Sequence, residues 1–400
     1  MDSRNTSVFM GEILSSSPQN EKEKIMEQSQ EYCSKWVELP DHITEMISNR
    51  LGFPDILRFG SVCKPWRSVS NETRRHRCSL SSQQSYVPMV LFEYNLKKGT
   101  FGFFSFEEGK VYWISLDIAP ASQCLGCYEG WLVMLSPYLP NCFVLNPFTG
   151  TRIDLPCFNN LGVDISKVIF LSNPLDITSK KPNFDCTVVA LNSLKTELNM
   201  CRLGDESCTI MKLDGHGQIL GSLIFYKGEI YVMSRSGELW TVNLAGPKPS
   251  AHKREIVFPE IISSSLHEYQ VECYLVESEE NLLLILRFKK KRVRKTVKFM
   301  IYRLVESAAE YMLERVPFLA DDQVLFVGRF CSKSVSTSQW KGLQGNSIYF
   351  TDDKVLKYKK GLEYPEKGIF NVKTGNIGPY NLSFDLYPFD MPHIWITPSI

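Results

Sequence analysis

Apolar residues follow two rhythms along this chain, one helical and brief, the other extended and long. Between residues 36 and 77, Ile43, Met46, Ile47 and Leu51 recur at i, i+3, i+4 and i+8, on one stripe of a helix. Pro40 suits the first turn of that helix, where its missing N–H costs nothing, and Gly52 ends it. Pro54 and Asp55 start a second short helix, whose Ile56, Leu57 and Phe59 lead to Val62. Pro65 starts a third, with Trp66 and Val69 one turn apart. Three short helices in roughly forty residues bury too little surface for independent stability. The stripe must therefore pack on the rest of the chain or on a partner.

From about residue 86 the period shortens. Runs such as "VLFEY", "GFFSF", "KVYWISL", "WLVML", "CFVLN", "LLLILRF" and "VLFVGRF" are β-branched and aromatic, and Gly, Pro, Asn and Asp punctuate them. Many short strands at near-regular spacing predict a sandwich, a barrel or a propeller. A weak internal repeat favours the propeller. Gly109–Trp113 is similar to Gly228–Val232 and to Gly345–Phe350, and a strand–turn–strand element recurs in "FVLNPFTGTRIDLP", "YVMSRSGELWTVNL" and "IFNVKTGNIGPY". At roughly 40–50 residues per blade, residues 86–395 would hold six to eight blades. Residues 1–34 are rich in Ser, Glu, Gln and Lys with few apolar anchors, which predicts a disordered tail. The expected fold is multi-domain: a small all-α block of three helices, then a large all-β domain.

Composition narrows the function classes. Of 400 residues, 44% are hydrophobic and 22% charged, and the net charge is +1, so bulk charge makes no case for nucleic acid or an anionic membrane. No apolar run reaches the length of a membrane span, and the N-terminus lacks the pattern of a secretory signal. The expected compartment is the cytoplasm, the nucleus or both, where the 12 cysteines would stay thiols.

Candidate chemistry is sparse. Cys124-Leu125-Gly126-Cys127 has the spacing of a metal or redox pair. Cys142 and Cys157 follow singly with no nearby histidine pair, so a strand and turn is the reading that fits. Gly215-His216-Gly217 reads as a turn, as do Asp321-Asp322 and Asp352-Asp353. The six histidines show no ligand spacing, no nucleophile, phosphate-loop or zincin motif is present, and no cofactor is implied. "RFKKKRVRKTVK", residues 287–298, holds eight basic residues in twelve between two strand-like runs, which predicts the basic tip of a hairpin. It reads as a solvated loop, as a nuclear-import signal built on Lys289, Lys290, Lys291, Arg292, Arg294 and Lys295, or as a contact for an acidic partner or nucleic acid. Without aromatic interleaving, nucleic acid fits least.

The helical block "LPDHITEMISNRLGFPDILRFGSVCKPWRSV" resembles the F-box. Its positions Leu39, Pro40, Ile43, Ile47, Leu51, Pro54, Asp55, Leu57, Val62, Cys63, Lys64, Trp66 and Arg67 match that pattern of a Leu-Pro start, an apolar helix, a Pro/Asp-started helix and a Cys-Lys-x-Trp-Arg ending. More loosely, "CLGCYEGWLVML", "NPFTGTRIDLP" and "LQGNSIYFTDD" are similar to a plant F-box group with a β-propeller-like domain of unassigned function. The resemblance implies a non-catalytic substrate receptor of an SCF-type cullin-RING ubiquitin ligase. Leu39, Pro40, Ile43, Ile47, Leu51, Pro54, Leu57, Val62, Cys63 and Trp66 would contact a Skp-type adaptor and, through it, a cullin, and the β domain would choose a protein substrate. An F-box scaffold or nuclear regulator outside the ligase is the alternative, and a propeller enzyme a further one.

Overall fold

A computed structural model describes residues 36–398 except 80–86, 96–98, 120–121, 137–141, 156–157, 159–164, 177–178, 180, 193, 215–219, 235, 247, 258–266, 308–309, 339, 341, 352–365 and 381–392. The expected tail at 1–34 and the turns at Gly215–Gly217 and Asp352-Asp353 lie outside the described residues. The chain divides into two compact units, Met1–His76 and Arg77–Ile400.

In the first unit, α1 spans Asp41–Ser48, α2 Phe53–Val62 and α3 Lys64–Ser79. Pro40 caps α1 in an extended conformation, and Pro54 sits in the first turn of α2, where no N–H is missed. Cys63 takes an extended backbone between α2 and α3 and breaks one helix from the next. Phe53, Ile56 and Phe59 form the apolar centre. Against it α1 buries Thr44 and Ser48, and α3 buries Ser70 and Thr73. The Ser70 hydroxyl donates to the Ile56 carbonyl at 2.9 Å, and Arg67 Nε donates to the Gly60 carbonyl at 3.1 Å, tying α3 to α2.

The second unit is a propeller of six blades among the described residues. Blade 2 holds strands Gln123–Tyr128, Trp131–Leu135, Cys142–Leu145 and Arg152–Asp154; blade 3 holds Ile165–Phe170, Thr187–Asn192, Glu197–Arg202 and Thr209–Lys212. Blade 4 holds Leu220–Tyr226, Glu229–Ser234, Leu239–Asn243 and Ser250–Arg254. Blade 5 holds Tyr269–Ser278, Asn281–Lys290, Thr296–Glu306 and Tyr311–Val316, with Ile256–Val257 added parallel at its outer edge. The innermost strands of successive blades touch, and outer strands such as Lys110–Ser115 alternate with solvent.

Two blades depart from the simple meander. Blade 6 runs in the order Lys333–Ser336, Gln323–Val327, Ser347–Phe350, Gly368–Asn371, Ile377–Gly378, and Gln323–Val327 pairs parallel with Ser347–Phe350. The crossover needs a close pass, and at Gly345 a Cβ would stand 1.8 Å from the Asp321 carbonyl oxygen. Blade 1 takes Met89–Asn95, Thr100–Ser105 and Lys110–Ser115 from the start of the unit and its innermost strand, Ile394–Ile396, from the far end, in antiparallel register Met89↔Ile396 and Leu91↔Ile394. That late strand closes the ring. Separate apolar clusters fill the seams, for example Trp131, Val168 and Val188 between blades 2 and 3, and Phe92, Phe326 and Trp395 between blades 1 and 6.

The expected internal repeat does not mark blade position. Gly109–Trp113 leads into the outermost strand of blade 1, Gly228–Val232 into the second strand of blade 4, and Gly345–Phe350 into the third strand of blade 6. What recurs is turn chemistry before a strand: Gly109 and Gly228 have φ of 62° and 85°, and in the third case Asn346 has φ of 52°.

Candidate adaptor interface

The amphipathic sense of α1 is unusual. Its buried side chains are the polar Thr44 and Ser48, with the Thr44 hydroxyl donating back to the Asp41 carbonyl at 2.8 Å, whereas the apolar stripe lies to the side of the core. Ile43 and Ile47 are half-buried and Met46 is 49% exposed. The small polar residues of α1 are thus the ones withdrawn from solvent, while its larger apolar side chains stay partly or largely exposed. Trp36, 55% exposed, and Val62, 57% exposed at the end of α2, add to this apolar surface.

Each residue expected at the interface has a defined place. Leu39 is half-buried just ahead of α1, and Pro40 beside it is exposed. Leu51 at the α1–α2 turn, Pro54 and Leu57 on α2, and Cys63 at the α2–α3 junction are half-buried. Trp66 is half-buried too; its ring stacks on Phe59 at 4.4 Å between centroids and 19° between planes, and its Nε1 donates to the Trp36 carbonyl at 3.2 Å. Trp66 thus presents one face to the core and leaves the other accessible. Trp36 and Val37 were not among the expected residues, although an apolar pair directly before Glu38-Leu39-Pro40 is a readable signal.

The basic run divides by strand alternation. The strand Asn281–Lys290 continues through most of the run, so residues two apart share a face. Arg287 is fully buried and Lys289 is 4% exposed, which places both inside the sheet rather than on the tip. Arg287 donates from Nη1 to the Thr351 carbonyl at 2.6 Å and from Nε to the Thr296 hydroxyl at 2.8 Å, pairs through Nη2 with Glu366 Oε2 at 3.0 Å, and lies over the Phe350 ring. Its charge is balanced and every nitrogen has work, as burial demands. Lys290, Lys291, Arg292, Arg294 and Lys295 form the exposed tip, closed by the Arg294 N–H donating to the Lys290 carbonyl at 2.7 Å with Arg294 at φ of 52°.

Among the described residues no group of three or more His, Cys, Asp or Glu is placed to hold a metal ion. No helix among them is long and apolar enough to cross a membrane. Asn173, Asp176, Asn183, Phe184 and Asp185 line an open groove on the loop between the first two strands of blade 3. Cys124 and Cys127 lie on the innermost strand of blade 2, whose register shifts between Cys124 and Gly126.

Comparison with known proteins agrees with this division. The F-box domain family matches residues 36–81, and the KIB1-4 beta-propeller family matches residues 103–381. F-box protein At2g26160 of Arabidopsis thaliana is 27% identical over 352 residues, spanning 80% of this chain and 96% of that protein. Probable F-box protein At4g22060 of the same plant is 26% identical, spanning 80% and 84%. Among solved structures, the N-terminal domain of Nup159 aligns over 72% of each chain at 10% identity and a TM-score of 0.30.

Proposed function

The chain belongs to the KIB1-4 beta-propeller family and carries an F-box, and from that premise we propose that it is the substrate-recognition subunit of an SCF-type ubiquitin ligase. The F-box docks a Skp-type adaptor and through it a cullin, and the propeller recruits a protein for ubiquitination. The observation that carries this reading is the inverted α1, which spends Thr44 and Ser48 on its own core and leaves Met46, with Val62 of α2, at the surface. Burying such side chains against a helical partner gains about 1.5–3 kcal/mol each before ordering costs. Pro40 and Pro54 pre-set the helix starts, which reduces the entropy lost on docking.

No bond chemistry is required of the receptor. It raises the effective concentration of a substrate lysine near a ubiquitin-charged enzyme held elsewhere in the complex. Pull-down with a purified Skp-type adaptor tests this: the double variant Leu39→Ala, Pro40→Ala loses adaptor capture while its thermal melt keeps the propeller transition. Capture at the wild-type level by a folded double variant refutes the assignment. Co-purification of a cullin with the adaptor separates a ligase subunit from an F-box scaffold acting alone.

The exposed tip Lys290, Lys291, Arg292, Arg294 and Lys295 supports a second role as a nuclear-import signal, in which the buried Lys289 takes no part. A fluorescent fusion with these five changed to Gln shifts toward the cytoplasm on this reading. An unchanged nuclear fraction removes it.

A further inference from the structure

Two thiols from different blades meet beside the strand that closes the ring. Cys127, on the innermost strand of blade 2, is 2% exposed, and its Sγ lies 2.8 Å from the Trp395 carbonyl oxygen of the closing strand. Cys331 precedes the innermost strand of blade 6, is half-buried, and packs on the cluster that holds Trp395. Lys333, two residues after Cys331, pairs with Glu129, two residues after Cys127, at 3.4 Å, so the two segments run side by side next to Trp395. Both thiols therefore lie at the closing strand, one contributed by each neighbouring blade.

We propose that Cys127 and Cys331 are a peroxide-oxidised pair whose disulfide bolts blade 2 to blade 6 beside the closing strand of blade 1. The surroundings assign the roles. The Cys127 S–H bond, with Lys333 and Lys167 nearby, favours the thiolate of Cys331 against the opposing effect of burial. Donation to Cys331, burial and the adjacent sulfur charge hold Cys127 protonated. Cys331 is also the more accessible of the two, so it meets the oxidant first.

The chemistry balances in two steps. The Cys331 thiolate attacks one oxygen of hydrogen peroxide, an S–O bond forms, the O–O bond breaks, and the departing hydroxide takes a proton to leave as water. Cys127 then gives up its proton and attacks the sulfenic sulfur; the S–S bond forms, the S–O bond breaks, and the hydroxide leaves with that proton as a second water. Two electrons pass from the thiols to the peroxide. Cys124, three residues before Cys127, donates to the Gly126 carbonyl at 3.2 Å and is the competing partner that the experiment must exclude.

The test is peptide mapping of the full chain after hydrogen peroxide and alkylation of remaining thiols. Trypsin releases residues 111–152, which hold Cys124, Cys127 and Cys142, and residues 330–333, which hold Cys331. The expected product joins these two peptides with loss of two hydrogens. It persists in Cys124→Ser and disappears in Cys127→Ser and in Cys331→Ser. Because the cross-link closes a very long loop, Tm rises by about 3–8 °C on oxidation and falls back on reduction. Failure of the wild-type chain to give the joined peptide overturns the proposal, as does a link that survives Cys127→Ser, a Cys124–Cys127 product, or Cys331 halting at a sulfinic acid.

Discussion

His393 enters the closing strand with its ring centroid 6.1 Å from that of Phe92, 7% exposed, and neither ring nitrogen has a hydrogen-bond partner among the described residues. Burial, with a smaller contribution from the Lys367 charge, lowers its pKa from 6.5 to about 3. The imidazole is neutral in the folded chain while the unfolded chain protonates at 6.5, so the unfolded state binds more protons below that pH. Stability is therefore intact above pH 6.5 and is lost as pH falls toward 3, by roughly 3 kcal/mol at pH 4. Denaturant melts at pH 7, 5.5 and 4 should show this slope in the native chain and a shallower one in His393→Phe. Arg287 shows the opposite solution at the same scale, a buried charge kept ionised by full pairing. Composition hid that distinction, because a run of eight basic residues reads as one charged loop until the strand's alternation turns Arg287 and Lys289 inward.

At the scale of elements, the contact of α2 with α3 depends on Gly60. A Cβ there would sit 2.8 Å from the Ser70 hydroxyl and 2.9 Å from its Cβ, and Ser70 is anchored to the Ile56 carbonyl. Gly60→Ala should destabilise the helical unit by about 1–3 kcal/mol, read as faster amide exchange in α2, and weaken adaptor binding with it. Val62→Ala should weaken binding while leaving exchange unchanged, since Val62 packs on little of its own chain. The helices were legible because Pro40, Gly52, Pro54 and Pro65 punctuate a 3.6-residue period, and most strands because glycine turns separate β-branched runs. What periodicity could not supply was long-range pairing. Nothing local in "VLFVGRF" and "SIYF" shows that they lie parallel, and Cys124-Leu125-Gly126-Cys127 directs attention to its own spacing when the contact that Cys127 makes is with the Trp395 carbonyl, far along the chain.

On the scale of the whole propeller, closure concentrates on Trp395. Its backbone pairs with Val90, its indole Nε1 donates to the Val327 carbonyl of blade 6 at 2.8 Å, and its own carbonyl meets Cys127 of blade 2. Around it stand Phe106, Phe326 and Tyr380, with ring centroids 5.8, 5.0 and 6.2 Å away. Trp395→Ala should cost about 3–5 kcal/mol and be visible as a lowered midpoint of thermal unfolding.

The same closing strand has a consequence for biosynthesis. Blade 1 starts near residue 89 but stays short of a strand until Ile396 has cleared the ribosome tunnel. At about 5–20 residues per second, α1–α3 emerge on the order of 15–60 s before the last blade can zip shut. During that interval Met89–Asn95 shows a bare edge to the crowded cell, and nascent-chain chaperones have their reason to linger.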